Sequence, residues 1–432
     1  MSFREAIDRD VDDLRGLADG IVKRTGHTSV GLELLAGLSV GGNDFRTQER
    51  QLDAAAWSLR KTWLGLAHRP ADATPKSPCA GQSSRVAAGE SVDFGYERDL
   101  DVSLLEGRRT GYMDQPAGWT TDLVLLRSGQ AALASLLHLL ISLWGAKRAM
   151  TVAHAGAYFE TASLLESWPQ HILRRVDASE KEVDLVIAEP VWCDGRFGRC
   201  VELPWPRRAL ILDTTMVGPG YDLAQHLHAD CPLVIAYSSG LKLDQAGLEL
   251  ANAGIVRILR REGDQDAAAI ADALRRLRGL AGSGLTLDEL SALSAPWFMD
   301  RAYASRYTSA IFANNRALAA AIGDRSEVFG DRCHPSLVAP HLQAPFCAIQ
   351  LRDPSPERYA ALCQKVEDEI ERGSLLATRG GSFGFRGHRY ELIEPEPGRG
   401  SPFLRVALGW RDGHSREGLC ALFADLACKG FN

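Results

Sequence analysis

From Leu123 to Arg257 the chain alternates short apolar runs with helical stretches, and few architectures accommodate that pattern. The apolar runs are Leu123–Leu126, Ala149–Ala153, Leu185–Ala188, Ala209–Leu212, Leu233–Ala236 and Gly254–Ile258. Gln130–Leu143, Phe159–Glu166 and Asp222–Leu227 read as helices between them. Apolar runs without polar alternation belong to strands covered on both faces, and repeated strand–crossover–strand units build a mostly parallel sheet with helices on both sides. The fold class is therefore α/β. In such sheets the working groups lie outside the carboxyl ends of the strands.

The flanking regions have other patterns. Helical spacing recurs over residues 1 to about 70, as in Ala6, Ile7, Val11, Leu14, Leu17, Ala18 and Ile21, and again from Leu52 to Leu64. From Arg69 to Glu90, Pro, Ser, Ala and Gly dominate and predict an irregular crossing segment. Residues 266 to about 325 look helical, with amphipathic runs at Ala267–Leu277 and Tyr303–Ile322. Beyond Asp331, strand-like Ala344–Leu351 and Phe403–Leu408 mix with helical Pro356–Glu371 and Arg416–Cys428, which predicts a smaller α+β domain. The expected division is a helical N-terminal arm over 1–95, a large α/β domain over 96–295 and a smaller α+β domain over 296–432.

Composition narrows the function. With 432 residues, 45% of them hydrophobic, the chain can bury a large core. No apolar run approaches the roughly 18 residues of a membrane helix, and the N-terminus lacks a signal-peptide layout, so a cytoplasmic protein without membrane partners is expected. A net charge of −6, mixed along the chain, speaks against a nucleic-acid partner. The nine cysteines form no C-x-x-C pair and have no zinc-like histidine spacing, so no metal site is predicted and reduced thiols are expected; Cys193 and Cys200 are the one conceivable pair.

Chemistry-bearing residues cluster at the predicted strand ends. After Val234-Ile-Ala-Tyr-Ser-Ser-Gly-Leu comes Lys242, whose amine becomes nucleophilic only where its surroundings keep part of it neutral. By itself it also reads as an ordinary surface lysine. Arg127-Ser128-Gly129-Gln130 opens a helix with small residues, leaving backbone N–H groups directed at an anion such as phosphate; a plain tight turn reads the same way. Tyr158 follows the second strand, where its ring can cover a planar ligand or simply pack in the core. Glu189 and Asp213 end two more strands as paired carboxylates for one crevice, or as cap and loop acids.

Taken in order, the phosphate turn, the aromatic plate, the acidic strand ends and the lysine resemble the fold-type I pyridoxal-phosphate enzymes. The closest likeness is to the cysteine and methionine metabolism group of cystathionine synthases, cystathionine lyases and methionine γ-lyase. It covers about residues 94–430. The resemblance implies pyridoxal 5'-phosphate as cofactor, held as a Schiff base by Lys242, with Asp213 paired to the pyridine nitrogen and Tyr158 stacked on the ring. It places the phosphate on Ser128, Gly129 and Gln130, with Ser239 or Ser238 and Thr215 nearby, and sets Glu189 beside the ring. Tyr96 and Arg98 match a Tyr-x-Arg that reaches a neighbouring subunit's phosphate, Tyr96 lying 33 residues before Gly129, which implies a homodimer or homotetramer with shared active sites. Arg405 in Phe403-Leu-Arg-Val-Ala-Leu-Gly409 matches the arginine that grips the substrate's α-carboxylate, with Thr378 or Ser382 beside it.

The implied activity is γ- or β-elimination or replacement on an amino acid. Lys242 then shuttles protons, and Tyr158 protonates the leaving group. An aminotransferase is the rival enzyme, and a non-catalytic binding module is the rival from another class. Departures favour a specialised amino-acid or natural-product pathway. No asparagine follows Glu189-Pro-Val-Trp-Cys-Asp194, Leu241 replaces the usual threonine before the lysine, and Phe385–Tyr390 resembles an insertion.

Overall fold

The computed structural model describes residues 3–38, 44–79, 82–113, 115–145, 148–177, 179–192, 204–227, 233–323, 328–330, 333–395 and 401–431. Cys193 and Cys200, together with Cys231 and Asp194, lie outside them, and the six described cysteines are free thiols. Among the described residues no helix is long and apolar enough to cross a membrane.

Three helices come first, α1 (Phe3–Thr25), α2 (Val30–Leu38) and α3 (Phe45–Ala73). The irregular segment expected from Arg69 starts later, because α3 continues through Pro70 and ends at Thr74, where the backbone turns extended. One backbone hydrogen bond lost at the proline is offset by the apolar face around it, where Trp63, Leu66 and Ala67 are buried. A small ladder, β1 (Ser84–Arg85) and β2 (Ser91–Val92), and two single-turn helices, α4 (Ser103–Glu106) and α5 (Arg109–Tyr112), lead into the main sheet.

That sheet contains β3 (Trp119–Leu126), β4 (Met150–Ala155), β5 (Leu173–Val176), β6 (Glu182–Ala188), β7 (Trp205–Asp213), β8 (Leu233–Ser239) and β9 (Gly254–Arg261). Their spatial order is β3-β9-β8-β7-β6-β4-β5; β4 to β8 run parallel, and β9 is antiparallel to both its neighbours. The crossovers include α6 (Gly129–Trp144) and α7 (Phe159–Glu166). Asp222–Leu227, predicted as an α-helix, is a 3₁₀ turn over Leu223–His226, capped by Asp222 accepting from Ala224 N. Strand β5 has no apolar signature because only Leu173 of its four residues is buried at this sheet edge.

Side-chain alternation sorts each strand onto two layers. Val124 and Leu126 pack with Leu133, Leu136 and Leu140 of α6, whereas Leu123 and Leu125 join a second cluster with Leu287, Leu290 and Phe298. Coverage on both faces explains why β6 and β8 are almost entirely buried.

The remaining chain forms α8 (Gln265–Ala281), α9 (Leu287–Leu293) and α10 (Arg301–Ile322), then β10 (Cys347–Ile349), α11 (Pro356–Gly373), β11 (Ala377–Arg379), β12 (His388–Ile393), β13 (Phe403–Ala407) and α12 (His414–Lys429). A second sheet has the order β10-β13-β12-β11. The stretch read as an insertion supplies the start of β12.

The N-terminal helices are built into the body of the molecule. Leu14, Leu17, Leu59 and Trp63 share one core with Leu243, Leu248, Tyr307 and Trp410. Beneath that contact Asp10 is buried between two arginines, paired with Arg386 and 3.1 Å from Arg411 Nε. Both guanidiniums hold the Asp10 carboxyl below the ordinary carboxylate range despite its burial.

Candidate active site

The carboxyl ends of β3, β4, β6, β7 and β8 face one cavity of about 640 Å³, closed on its far side by β12 and β13. Its lining includes Ser128, Gly129, Gln130, Tyr158, Glu189, Asp213, Thr215, Ser239, Lys242, Ser382 and Arg405. Eleven of the residues singled out in the sequence thus converge on one crevice, although they span almost 280 positions of chain.

The phosphate turn is shaped by close approach of the backbone. Ser128 caps α6 by accepting from Ala131 N at 3.1 Å. A Cβ on Gly129 would lie 3.3 Å from Ser239 N, and one on Gly254 would lie 2.1 Å from Ser128 O. Glycine at both positions lets the helix start press against the end of β8 and the start of β9. Ser239 N donates to Thr215 Oγ1 at 3.0 Å, and Thr215 N donates to Asp213 Oδ1 at 2.9 Å, so the hydroxyl cradle and the carboxylate form one hydrogen-bonded unit.

Asp213 ends β7, opposite Tyr237 in the parallel register. Burial raises its pKa, the neighbouring Glu189 adds to the rise, and the Thr215 bonds and the Lys242 charge act the other way. A carboxylate so placed is stabilised by a cationic N–H brought to it. Tyr237 lies behind it, its pKa pushed well up by burial and by the charge of Asp213.

Lys242 follows β8 after Gly240, whose N–H is held by Ala253 O at 2.9 Å. The Lys242 ammonium lies over the Phe383 ring, 4.5 Å from its centroid. The next turns are strained: Ala246 and Glu249 have left-handed backbones with φ of 53° and 48°. Arg60 of α3 pins them, donating to Leu248 O at 2.6 Å and Glu249 O at 2.9 Å, and Arg386 donates to Ala246 O at 3.1 Å. The lysine loop is therefore held from the N-terminal helices, a connection with no local sequence signal. Asp244, just beyond the lysine, accepts from Tyr112 Oη at 2.6 Å, and burial pushes its pKa up to about 6.

Glu189 has a positioning task. It accepts from Tyr158 N at 2.8 Å and lies 3.6 Å from His154 Nε2, fixing the turn that presents the Tyr158 ring. A Cβ on Gly156 would fall 2.3 Å from Glu189 Oε1, so a side chain there would displace the Glu189 carboxylate. Tyr158 Oη donates to Glu160 Oε2 at 2.7 Å.

At the other end, Glu391 on β12 stands opposite Arg405 on β13 in the antiparallel register, and their side chains pair through Arg405 Nη2. Arg405 Nε is buried without a partner among the described residues, and so is Ser382 Oγ. Ser382 also has a φ of 72°, which any non-glycine residue adopts only under strain. The guanidinium Nε and the Ser382 hydroxyl are donors that a carboxylate brought into the cavity would satisfy.

Four singled-out residues do not line the cavity. Thr378 is exposed on β11, and Ser238, one residue before the lining Ser239, turns its side chain away as the strand alternates. Tyr96 and Arg98 lie outside, both exposed, with the Arg98 guanidinium 5.3 Å from the Tyr96 ring centroid. Phe383, Gly156 and Glu391 were not singled out; a glycine directly after a strand was the available signal for Gly156, whereas the other two depend on contacts distant in sequence.

The arrangement fits pyridoxal phosphate. The backbone cradle at Gly129 suits a phosphate, the buried Asp213 suits a protonated ring nitrogen, and Lys242 lines the same cavity.

No protein-family profile matches the chain, and no curated protein matches it in sequence. Solved structures do. A methionine gamma lyase from Micromonospora echinospora is 17% identical, with a TM-score of 0.51 over 84% of this chain and 97% of that one. A cystathionine gamma synthase from Xanthomonas oryzae pv. oryzae, solved with cystathionine, is 14% identical, with a TM-score of 0.52 over 84% of this chain and 98% of that one. A Campylobacter jejuni protein solved with N'-pyridoxyl-lysine-5'-monophosphate is 12% identical, with a TM-score of 0.52 over 76% of this chain and 87% of that one. The chain therefore has the α/β fold of these gamma lyases and synthases.

Proposed function

We propose that this protein is a pyridoxal-phosphate enzyme that eliminates or replaces a group at Cβ or Cγ of an amino acid. The observation that carries the reading is the convergence of Lys242, Asp213, the Gly129 turn and Arg405 on one cavity. When bound, the cofactor supplies an electron-accepting ring for the bonds at the substrate's α-carbon.

The residues divide the work. Lys242 holds the cofactor through its amine and, once released, moves the α-proton as general base. Asp213 retains a proton on the ring nitrogen, and Tyr158 covers the ring and delivers a proton to the leaving group. The amides of Gly129 and Gln130 hold the phosphate with Ser128, Thr215 and Ser239. Arg405 and Ser382 take the α-carboxylate. Tyr96 and Arg98, exposed away from this chain's own cavity, serve the phosphate of a second copy in a homodimer or homotetramer. The cytoplasm is the expected compartment.

The test is optical and chemical. Protein purified with the cofactor shows an absorbance band that borohydride reduction or Lys242→Ala removes; a colourless protein overturns the reading. Release of ammonia and a keto acid from homoserine- or homocysteine-type amino acids supports elimination, and strict dependence on a second keto acid instead marks transamination.

A further inference from the structure

The cavity holds more negative charge than this reading uses. Glu160, Glu189, Asp213, Glu391 and Glu394 line it, against the cations Lys242 and Arg405. Glu189 fixes the Tyr158 turn, Glu160 accepts from the Tyr158 hydroxyl, and Asp213 belongs to the ring nitrogen. Glu391 and Glu394 remain, both at the carboxylate-receptor end.

Glu391 has a built seat. It stands in register opposite Arg405, alternates with Leu392 so that it and Ile393 face the cavity, and occupies room left by Gly381, where a Cβ would come within 3.2 Å of Glu391 Oε1. Arg389 Nη1 holds the Gly381 carbonyl in place at 3.1 Å. Glu394, exposed at the rim three residues on, has no ion pair among the described residues.

Arg405 is only partly engaged. Its Nη2 serves Glu391, while its Nε and the Ser382 hydroxyl remain as orphaned buried donors. A substrate carboxylate seated on those donors shares one guanidinium with Glu391. Two carboxylates around one cation repel each other in a half-dry site, and a second cation brought by the substrate removes the imbalance. We infer that the preferred substrate is an amino acid with a distal cationic group, an ammonium or guanidinium, received by Glu391 with Glu394 at the rim. The inference rests on the reading of this cavity as an amino-acid site.

Matched pairs test it on the wild-type protein loaded with cofactor. Ornithine and norvaline differ at the terminal ammonium, as do lysine and norleucine, so dissociation constants are read from the change in cofactor absorbance and checked by calorimetry. A charge-assisted hydrogen bond of this kind predicts about tenfold tighter binding of each cationic member, and a preference reduced to about twofold or less in Glu391→Gln. Equal affinities within both pairs, or a preference that persists in Glu391→Gln, overturn the inference and leave the amino-acid reading standing. A spectrum and heat signal that respond to none of the four overturn that reading, and the inference with it.

Discussion

Lys242 and Arg405 are seated on the two members of one aromatic pair. The Lys242 ammonium lies 4.5 Å from the Phe383 centroid, the Arg405 guanidinium 5.5 Å from that of Phe346, and the two rings are 5.3 Å apart. The cation proposed to hold the cofactor and the one proposed to hold the substrate thus each rest on a ring face of one aromatic pair.

Phe383→Leu preserves most of the apolar volume but removes the ring face under Lys242. A cation–π contact in a partly dry site contributes about 1–2 kcal/mol, so kcat falls about tenfold. Arg405 keeps its own ring, so KM changes much less; separate kcat and KM values show the split, and equal losses in both would assign Phe383 to general packing.

Ser382→Ala removes a buried hydroxyl that has no hydrogen-bond partner among the described residues. Stability rises by about 1 kcal/mol in urea unfolding, while affinity for amino-acid carboxylates drops about tenfold. Unchanged affinity would remove Ser382 from the receptor.

Asp10→Asn leaves Arg386 and Arg411 buried without their shared counter-ion. Breaking a buried ion network from one side costs about 3–5 kcal/mol, read as a lower denaturant midpoint. Because Arg386 also donates to Ala246 O at 3.1 Å in the lysine loop, cofactor affinity weakens as well.

His388 makes stability depend on pH. Its Nδ1 accepts from Gly409 N at 3.0 Å, and burial, with Arg411 and Arg416 nearby, lowers its pKa to about 3. His334 is lowered to about 4, chiefly by burial. Both are neutral when folded and take up protons more readily when unfolded, so their contribution is present above the ordinary histidine pKa and is lost as pH falls from about 6.5 towards 4. Asp244, raised to about 6, has the opposite slope between about 4 and 6. Denaturant midpoints at pH 7, 6 and 5 therefore fall with acidity, and fall less steeply in His388→Gln.

Local pattern alone determined the sheet and its functional edge. Each of β3, β4, β6, β7 and β8 is an apolar run cut off by small or polar residues, and side-chain burial with chain stiffness makes such runs legible one at a time. The positions after them, Gly129, Tyr158, Glu189, Asp213 and Lys242, inherit their place in the crevice from that topology. Tertiary structure decided what depends on register and distant packing. Strands β5 and β11 carry almost no apolar signal, so only pairing with neighbours reveals them. That Ser382 lines the cavity and Thr378 does not, and that Glu391 stands opposite Arg405 in the pairing of β12 with β13, are matters of distant packing. The anchoring of the lysine loop by Arg60 and, through Arg386, by Asp10 joins residues 188 and 376 positions apart. No local preference encodes such contacts, because they are selected only when the whole core closes and its buried charges must find partners.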